Sequence, residues 1–314
     1  MTYKRTEYPE WSWSSSRKSA FDECKRRYYF NYYLAHNGWE EVSSDESRLA
    51  YRLKKLTGLH LVLGTGVHEA AEYVCRKKSP NNEIPSESEL EQIVRKTLRT
   101  AWIDSRDNRE KWKKNPGKYN MLHEFYYKGK PSDDTVRKIN EKIRVSVPNI
   151  LKSASISELY SDDCILRITE EMDTFEIFDT PVYAIPDLVY ERADGTWVVV
   201  DWKTGKEDAG HASQINVYCM YIKEKYGVDE SKIKARIEYL ITGNSRDISI
   251  TAKSQEASKK EIYDSITKMK ETLDDPDINK PKKKEEYPLV KSERFCPWCN
   301  FYEMCRSELN GERL

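Results

Sequence analysis

The segment that most restricts the fold is residues 182–203, where two alternating runs are joined by three residues suited to a turn. Val182 to Glu191 and Thr196 to Trp202 read as strands, and Ala193-Asp194-Gly195 reads as the loop of a hairpin. In a three-residue loop, Gly195 takes the left-handed conformation that such loops favour. Arg192 then pairs with Thr196, and Asp187 falls opposite Asp201. Lys203 shares their face because strand side chains alternate. A two-residue turn would put Asp187 on the other face. The three-residue reading gathers two carboxylates and an ammonium at one spot.

The chain around this hairpin changes character once. Upstream, residues 14–36 look helical, with Ser14, Ser15 and Ser16 as caps and Phe21, Cys24, Tyr28 and Tyr32 at helical spacing. A polar stretch covers 40–50. Leu59 to Leu63 runs into Gly64-Thr65-Gly66, read as a loop opening a helix that carries His68 to about Lys78. Pro80 to Pro85 reads as a linker. Ser86 with Glu89 resembles a capping box for a helix reaching about residue 113, and Asn115-Pro116-Gly117 breaks it. More helix is expected over 119–128 and 133–158. After Cys164 the pattern turns to strands, beginning with Ile165 to Thr169. Beyond the hairpin come a helix over about 208–226 ending at Gly227, a strand from Lys234 to Thr242, and a partner from Asp247 to Ala252 across Gly243-Asn244. A helix over 255–274 and a Pro/Lys-rich connector over 275–292 complete the order. The prediction is an α/β (mixed α+β) chain with a central mixed sheet flanked by helices. Its parts are an N-terminal segment at 1–64, a helical region at 65–160, a core at 161–274 and a C-terminal connector with cysteines at 275–314.

Composition narrows the setting. Aromatic residues at 11%, among them 21 Tyr and 8 Trp, argue for packed structure rather than disorder. No apolar run approaches the roughly 20 residues of a membrane span. Met1-Thr2-Tyr3-Lys4-Arg5 is basic, but no apolar stretch follows as in a secretory signal, so a cytoplasmic protein without membrane contact is expected. The 53 basic and 53 acidic residues cancel, which neither suggests nor excludes nucleic acid. Residues 95–118 carry nine Lys/Arg against three Asp/Glu, with Trp102 and Trp112 among them. That mixture suits phosphates and base stacking, and equally suits a solvated helical face.

Two adjacent carboxylates repel unless a cation lies between them, and hard oxygen ligands suit Mg²⁺ or Mn²⁺. A bound metal would polarise a phosphate and acidify a water, with Lys203 orienting that water or neutralising developing charge. A surface Asp–Lys pair would account for Asp201-Trp202-Lys203 taken alone. Together, Pro186-Asp187 and Asp201-Trp202-Lys203 resemble the PD-(D/E)XK nuclease pattern. Gly64-x-x-x-His68, Asp201-Trp202-Lys203-Thr204-Gly205 and Gln214-x-x-x-Tyr218 narrow the resemblance to its RecB-like branch. Taken singly, His68 could be a capped or core histidine, and Gln214 and Tyr218 merely half-buried. Glu170 and Glu171 could reach the site or form a polar strand end. Trp202 stands where the branch usually has Tyr, with its side chain expected to face away from the metal.

Four of the seven cysteines form a second pattern. Cys296, Cys299 and Cys305 cluster near the C-terminus, and Cys24 lies far upstream. A closed metal site needs four thiolates, which these can supply. Cys75, Cys164 and Cys219 read as small core residues. One N-terminal Cys plus Cys-x2-Cys-x5-Cys is similar to iron–sulfur nucleases of the AddB type and to CRISPR-associated RecB-like exonucleases, where the pattern holds a [4Fe-4S] cluster. Zinc is the alternative. Lys25, Arg26 and Arg27 could meet a DNA backbone, cap a helix or stay solvated.

The resemblance implies a restriction-endonuclease-like core with a helical insertion. It implies hydrolysis of DNA by Mg²⁺ or Mn²⁺ held by His68, Asp187 and Asp201, with the Trp202 carbonyl completing the set. Lys203 would assist the water, and Gln214 and Tyr218 would position the strand. An exonuclease on DNA ends or single strands is the expected activity, and a helicase or integrase in another chain is a candidate partner. An inactive cluster-bearing scaffold and a partner-dependent subunit are the alternatives.

Overall fold

A computed structural model describes residues 5–311 apart from 82, 162, 209 and 293. Met1 to Lys4 of the basic N-terminus and Asn82 of the expected linker thus lie outside the described residues. The chain divides into two compact units. One comprises Leu59–Thr100 and Pro131–Glu261, the other Met1–Gly58, Ala101–Lys130 and Ile262–Leu314.

The first unit is built on a five-stranded sheet. Its strands are β1 (Ile165–Thr169), β4 (Leu188–Glu191), β5 (Trp197–Lys203), β6 (Ile233–Tyr239) and β7 (Asn244–Ile248), and β2 (Asp173–Ile177) with β3 (Thr180–Ala184) forms a separate hairpin. The sheet order is β1-β4-β5-β6-β7. β5 and β6 run parallel and the other neighbours antiparallel, so the sheet is mixed as expected. β5 is central and buried along Val198 to Trp202, because apolar layers cover both of its faces. Parallel β5 and β6 need a crossover, which α5 (Gly210–Tyr226) supplies while packing on both strands. The helices α1 (Leu59–Asn81), α2 (Glu87–Asp107, which continues into the second unit), α3 (Asp133–Leu151) and α4 (Ala154–Leu159) precede the sheet.

The expected hairpin forms. Gly195 has φ +76°, Arg192 N–H donates to Thr196 O (2.8 Å), and Leu188 to Glu191 pair with Val200 to Trp197. The capping box also forms, with Ser86 N–H donating to Glu89 Oε2 (2.8 Å) and Glu89 N–H to Ser86 Oγ (3.3 Å).

Several expectations need correction. Gly64-Thr65-Gly66 is not a loop but lies inside α1, which also runs on past Pro80. A Cβ on Gly66 would sit 3.2 Å from Val94 Cα, and one on Gly64 would sit 3.2 Å from Thr204 Oγ1. The glycines therefore permit close approach rather than a turn. Val182 to Glu191 is two strands, broken at Ile185-Pro186-Asp187, where proline has no N–H for a ladder. The β2–β3 hairpin was not foreseen. Its tip, Phe178-Asp179, has φ near +51° at both residues, positions usually marked by Asn-Gly.

The second unit has an aromatic core. Tyr28, Phe30, Tyr33, Trp112, Tyr287 and Phe301 are buried in it. Arg17 is buried. Its guanidinium lies over Trp11 (4.5 Å) and Tyr32 (4.6 Å) and donates to the hydroxyls of Tyr28 and Tyr33. The helix expected over 14–36 is interrupted. Ser15–Glu23 is capped by Ser14, Cys24 is extended at φ −163°, and Lys25–Tyr29 leads into a π turn at Phe30–Leu34. The polar stretch at 40–50 contains the start of a helix, Asp45–Lys54, and the 275–292 connector includes part of a short pairing of Leu273–Asp275 with Lys280–Pro281. Among the described residues, no helix is long and apolar enough to cross a membrane.

Candidate active site

The residues singled out in the first unit meet at one end of the sheet. Pro186 ends the strand before Asp187, which lies in the bend leading into β4, one step beyond the Leu188–Val200 pair and hence opposite Asp201. The Asp187 carboxylate accepts from the main-chain N–H of Trp202. His68, on α1, brings Nδ1 within 3.4 Å of Asp187 Oδ1. Lys203 Nζ is 2.7 Å from Asp201 Oδ2 and donates to Gln214 Oε1 (2.9 Å). Gln214 Nε2 in turn donates to the Tyr218 hydroxyl (2.6 Å), since residues four apart share a helical face. The Trp202 side chain lies on the other sheet face and donates to Glu238 Oε2 (3.1 Å).

Glu170 joins this group. His68 Nδ1 lies 2.9 Å from Glu170 Oε1, and one ligand atom each from His68, Glu170 and Asp187 lie within 4.8 Å of one another. Glu170 follows β1 with φ +50°, a left-handed conformation that costs a non-glycine residue about 1–3 kcal/mol. Its N–H donates to Asp187 O (3.3 Å), fixing that turn beside the bend. The strand pattern alone left Glu170 either reaching the site or forming a polar strand end. Its proximity to Glu171 and Asp187 was the only sequence signal.

The electrostatics are those of crowded, buried acid groups. Burial, then the neighbouring Asp187, pushes the Asp201 carboxyl up to about 7 against the opposing pull of Lys203. Burial disfavours the His68 imidazolium, but Asp187 and Glu170 outweigh it and hold the ring protonated well above the usual histidine range. Burial also raises the Tyr218 phenol. An imidazole with two or three carboxylates is a donor set that fits a hard divalent cation.

A pH dependence follows. Asp201 is raised to about 7 and His68 well above its ordinary range, so protons on both would compete with a cation bound there, with Asp201 taking up its proton as pH falls through about 7. Mn²⁺ affinity should rise between about pH 6 and about pH 8, with proton release on binding. Calorimetry in buffers of different ionisation enthalpy measures both, and a pH-independent affinity would contradict this electrostatic account.

Elsewhere the structure redistributes the expected roles. Trp112 is a core residue, edge-on to Tyr126 at 5.7 Å, and offers no face for base stacking. Trp102 packs against Phe125 at 5.2 Å. Arg26 is buried and donates to Tyr287 O (2.9 Å) and Glu308 (2.8 Å), which withdraws it from any backbone-binding patch. Arg27 pairs with Glu23. Cys75 and Cys219 are core residues as expected, whereas Cys164 is only half-buried.

Cys24, Cys296, Cys299 and Cys305 all fall in the second unit as free thiols. Cys24 occupies the helix break, Cys296 opens a 3₁₀ turn that Cys299 caps, and Cys305 is buried in the helix Tyr302–Leu309. Burial raises Cys299, and Cys24 and Cys296 raise it further. Cys305 is pushed up to about 12 by burial, then by Cys299, with Cys24 adding to the shift.

Comparison with known proteins bears on the whole chain. A solved structure titled "Crystal structure of SSO0001" is 15% identical, with 56% of this chain and 82% of that one covered at a TM-score of 0.27. No curated protein matches. The model of the PD-(D/E)XK nuclease superfamily, whose restriction-endonuclease-like fold agrees with the mixed sheet and flanking helices, matches residues 12–306. With nearly the full length matched, the chain belongs to the PD-(D/E)XK nuclease superfamily.

Proposed function

We propose that this metal-dependent nuclease is a DNA exonuclease of the RecB-like branch, acting on ends or single strands. One observation carries the reading. His68, Glu170 and Asp187 present ligand atoms within 4.8 Å of one another, beside the ion pair of Asp201 and Lys203. His68, Asp187 and Asp201 would hold Mg²⁺ or Mn²⁺, with the Trp202 carbonyl completing the set and Glu170 as a ligand or as the acceptor that orients His68. A cation there would polarise the scissile phosphate and acidify the attacking water. Lys203 would orient that water and offset charge growing on the phosphate. Gln214 and Tyr218 keep the Lys203 ammonium aimed and line the path of the strand.

Cys24, Cys296, Cys299 and Cys305 are proposed to bind a [4Fe-4S] cluster, a reading supported by their place in one unit and by the Cys24 and Cys296 thiols acting on Cys299. A helicase or integrase partner would supply ends or strands. The test uses anaerobically purified protein with end-labelled single- and double-stranded DNA, with and without Mn²⁺. Mn²⁺-dependent release of short products from the labelled end supports the exonuclease, and internal fragments point to an endonuclease. No cleavage of either substrate favours a binding scaffold or a partner-dependent subunit.

A further inference from the structure

We propose that Trp202 and Glu238 form a positioning pair that sets the metal site from the opposite face of the sheet. The inference rests on the metal-site reading above. Glu238 lies beside Trp202 in the parallel β5–β6 register and is 3% exposed, and Trp202 is fully buried. A carboxylate so placed is costly unless its lone pairs are filled. Here they are. Glu238 Oε1 accepts from Ser155 N–H (2.9 Å) and Ser155 Oγ (2.9 Å), and Oε2 accepts from Trp202 Nε1 (3.1 Å) and Ser153 Oγ. Ser153 is also the N-cap of α4, so the carboxylate ties the start of that helix to the indole.

Trp202 joins the two faces. Its side chain belongs to this buried network, while its main-chain N–H donates to the Asp187 carboxylate. Its chain neighbours Asp201 and Lys203 point to the site side. A shift of the indole therefore moves the N–H that orients Asp187, together with the strand end bearing Asp201 and Lys203. Sites of this kind lose accuracy when the supporting shell loosens. A buried Glu that served only packing would be more cheaply replaced by an apolar side chain.

The test measures Mn²⁺ binding by calorimetry, without DNA, on the full chain and on E238Q, W202F, the double variant and I233A. Ile233 is buried at the far end of β6 and serves as a control for lost packing. E238Q and W202F are each expected to weaken Mn²⁺ binding about 10–100-fold. Because both break the same contact, the double variant should be little worse than the weaker-binding single one. I233A should lower Tm while leaving Mn²⁺ affinity unchanged. In cleavage assays the loss should fall on kcat rather than on KM for DNA. If E238Q does not fold, S155A removes the hydroxyl donor from the same carboxylate while keeping the Ser155 main-chain N–H, and should weaken Mn²⁺ binding in the same direction. Parent-like Mn²⁺ affinity in folded E238Q, W202F or S155A overturns the inference alone. A parent protein that does not bind Mn²⁺ removes the metal-site reading and the inference with it.

Discussion

Lys203→Ala is expected to slow DNA cleavage on the order of 10²–10³-fold while leaving Mn²⁺ affinity near that of the parent. The substitution keeps every proposed ligand and removes one ammonium, which lies 2.7 Å from Asp201 and 2.9 Å from Gln214. Asp201→Ala should fail differently, losing Mn²⁺ affinity together with turnover, because it deletes a ligand. Its fold should hold, since burial disfavours the charge of Asp201 and its removal relieves repulsion with Asp187. DNA binding should survive both changes, because affinity for nucleic acid is spread over many phosphate contacts. Single-turnover cleavage rates, Mn²⁺ calorimetry and DNA-binding isotherms on anaerobic protein separate these outcomes. Cleavage by Lys203→Ala at the parent's rate would remove the lysine from the mechanism.

The parts of this site that were legible in the sequence are those set by local geometry. A three-residue loop suffices to oppose Asp187 and Asp201, and helical spacing suffices to join Gln214 to Tyr218. What stayed hidden depends on contacts far apart in the chain. Glu170 reaches His68 across 102 positions through a left-handed residue that no periodicity announces. Gly64 and Gly66 read locally as a loop, and only the closeness of Val94 and Thr204 explains why a helix keeps them. Glu238 sits in an ordinary strand pattern, and nothing in that pattern reveals the indole and the two serines that satisfy it. Cys24 was singled out by a resemblance to iron–sulfur nucleases, and the helix break in which it lies was not foreseen.

Cys299→Ala is expected to abolish the proposed cluster and to destabilise the unit that holds the four thiols. Burial and neighbouring thiols raise Cys299 and Cys305, so holding these two as thiolates is unfavourable unless a metal centre binds them. Binding energy then becomes folding energy. The centre would also join Cys24 to residues near the C-terminus, closing a loop of nearly the whole chain. Cross-links across long loops remove about 4–5 kcal/mol of unfolded-state freedom in the chain-entropy model. A loss of that size should lower the transition of this unit by about 10 °C or more. It should not abolish folding, because the aromatic core of Tyr28, Phe30, Tyr33, Tyr287 and Phe301 remains. Parent protein prepared without oxygen should be brown, with a broad absorption near roughly 400 nm, as expected of thiolate-ligated iron. The variant should be colourless and melt earlier in calorimetry. A colourless parent with stoichiometric zinc would assign the same four ligands to zinc, and a variant that keeps both colour and Tm would remove Cys299 from the ligand set.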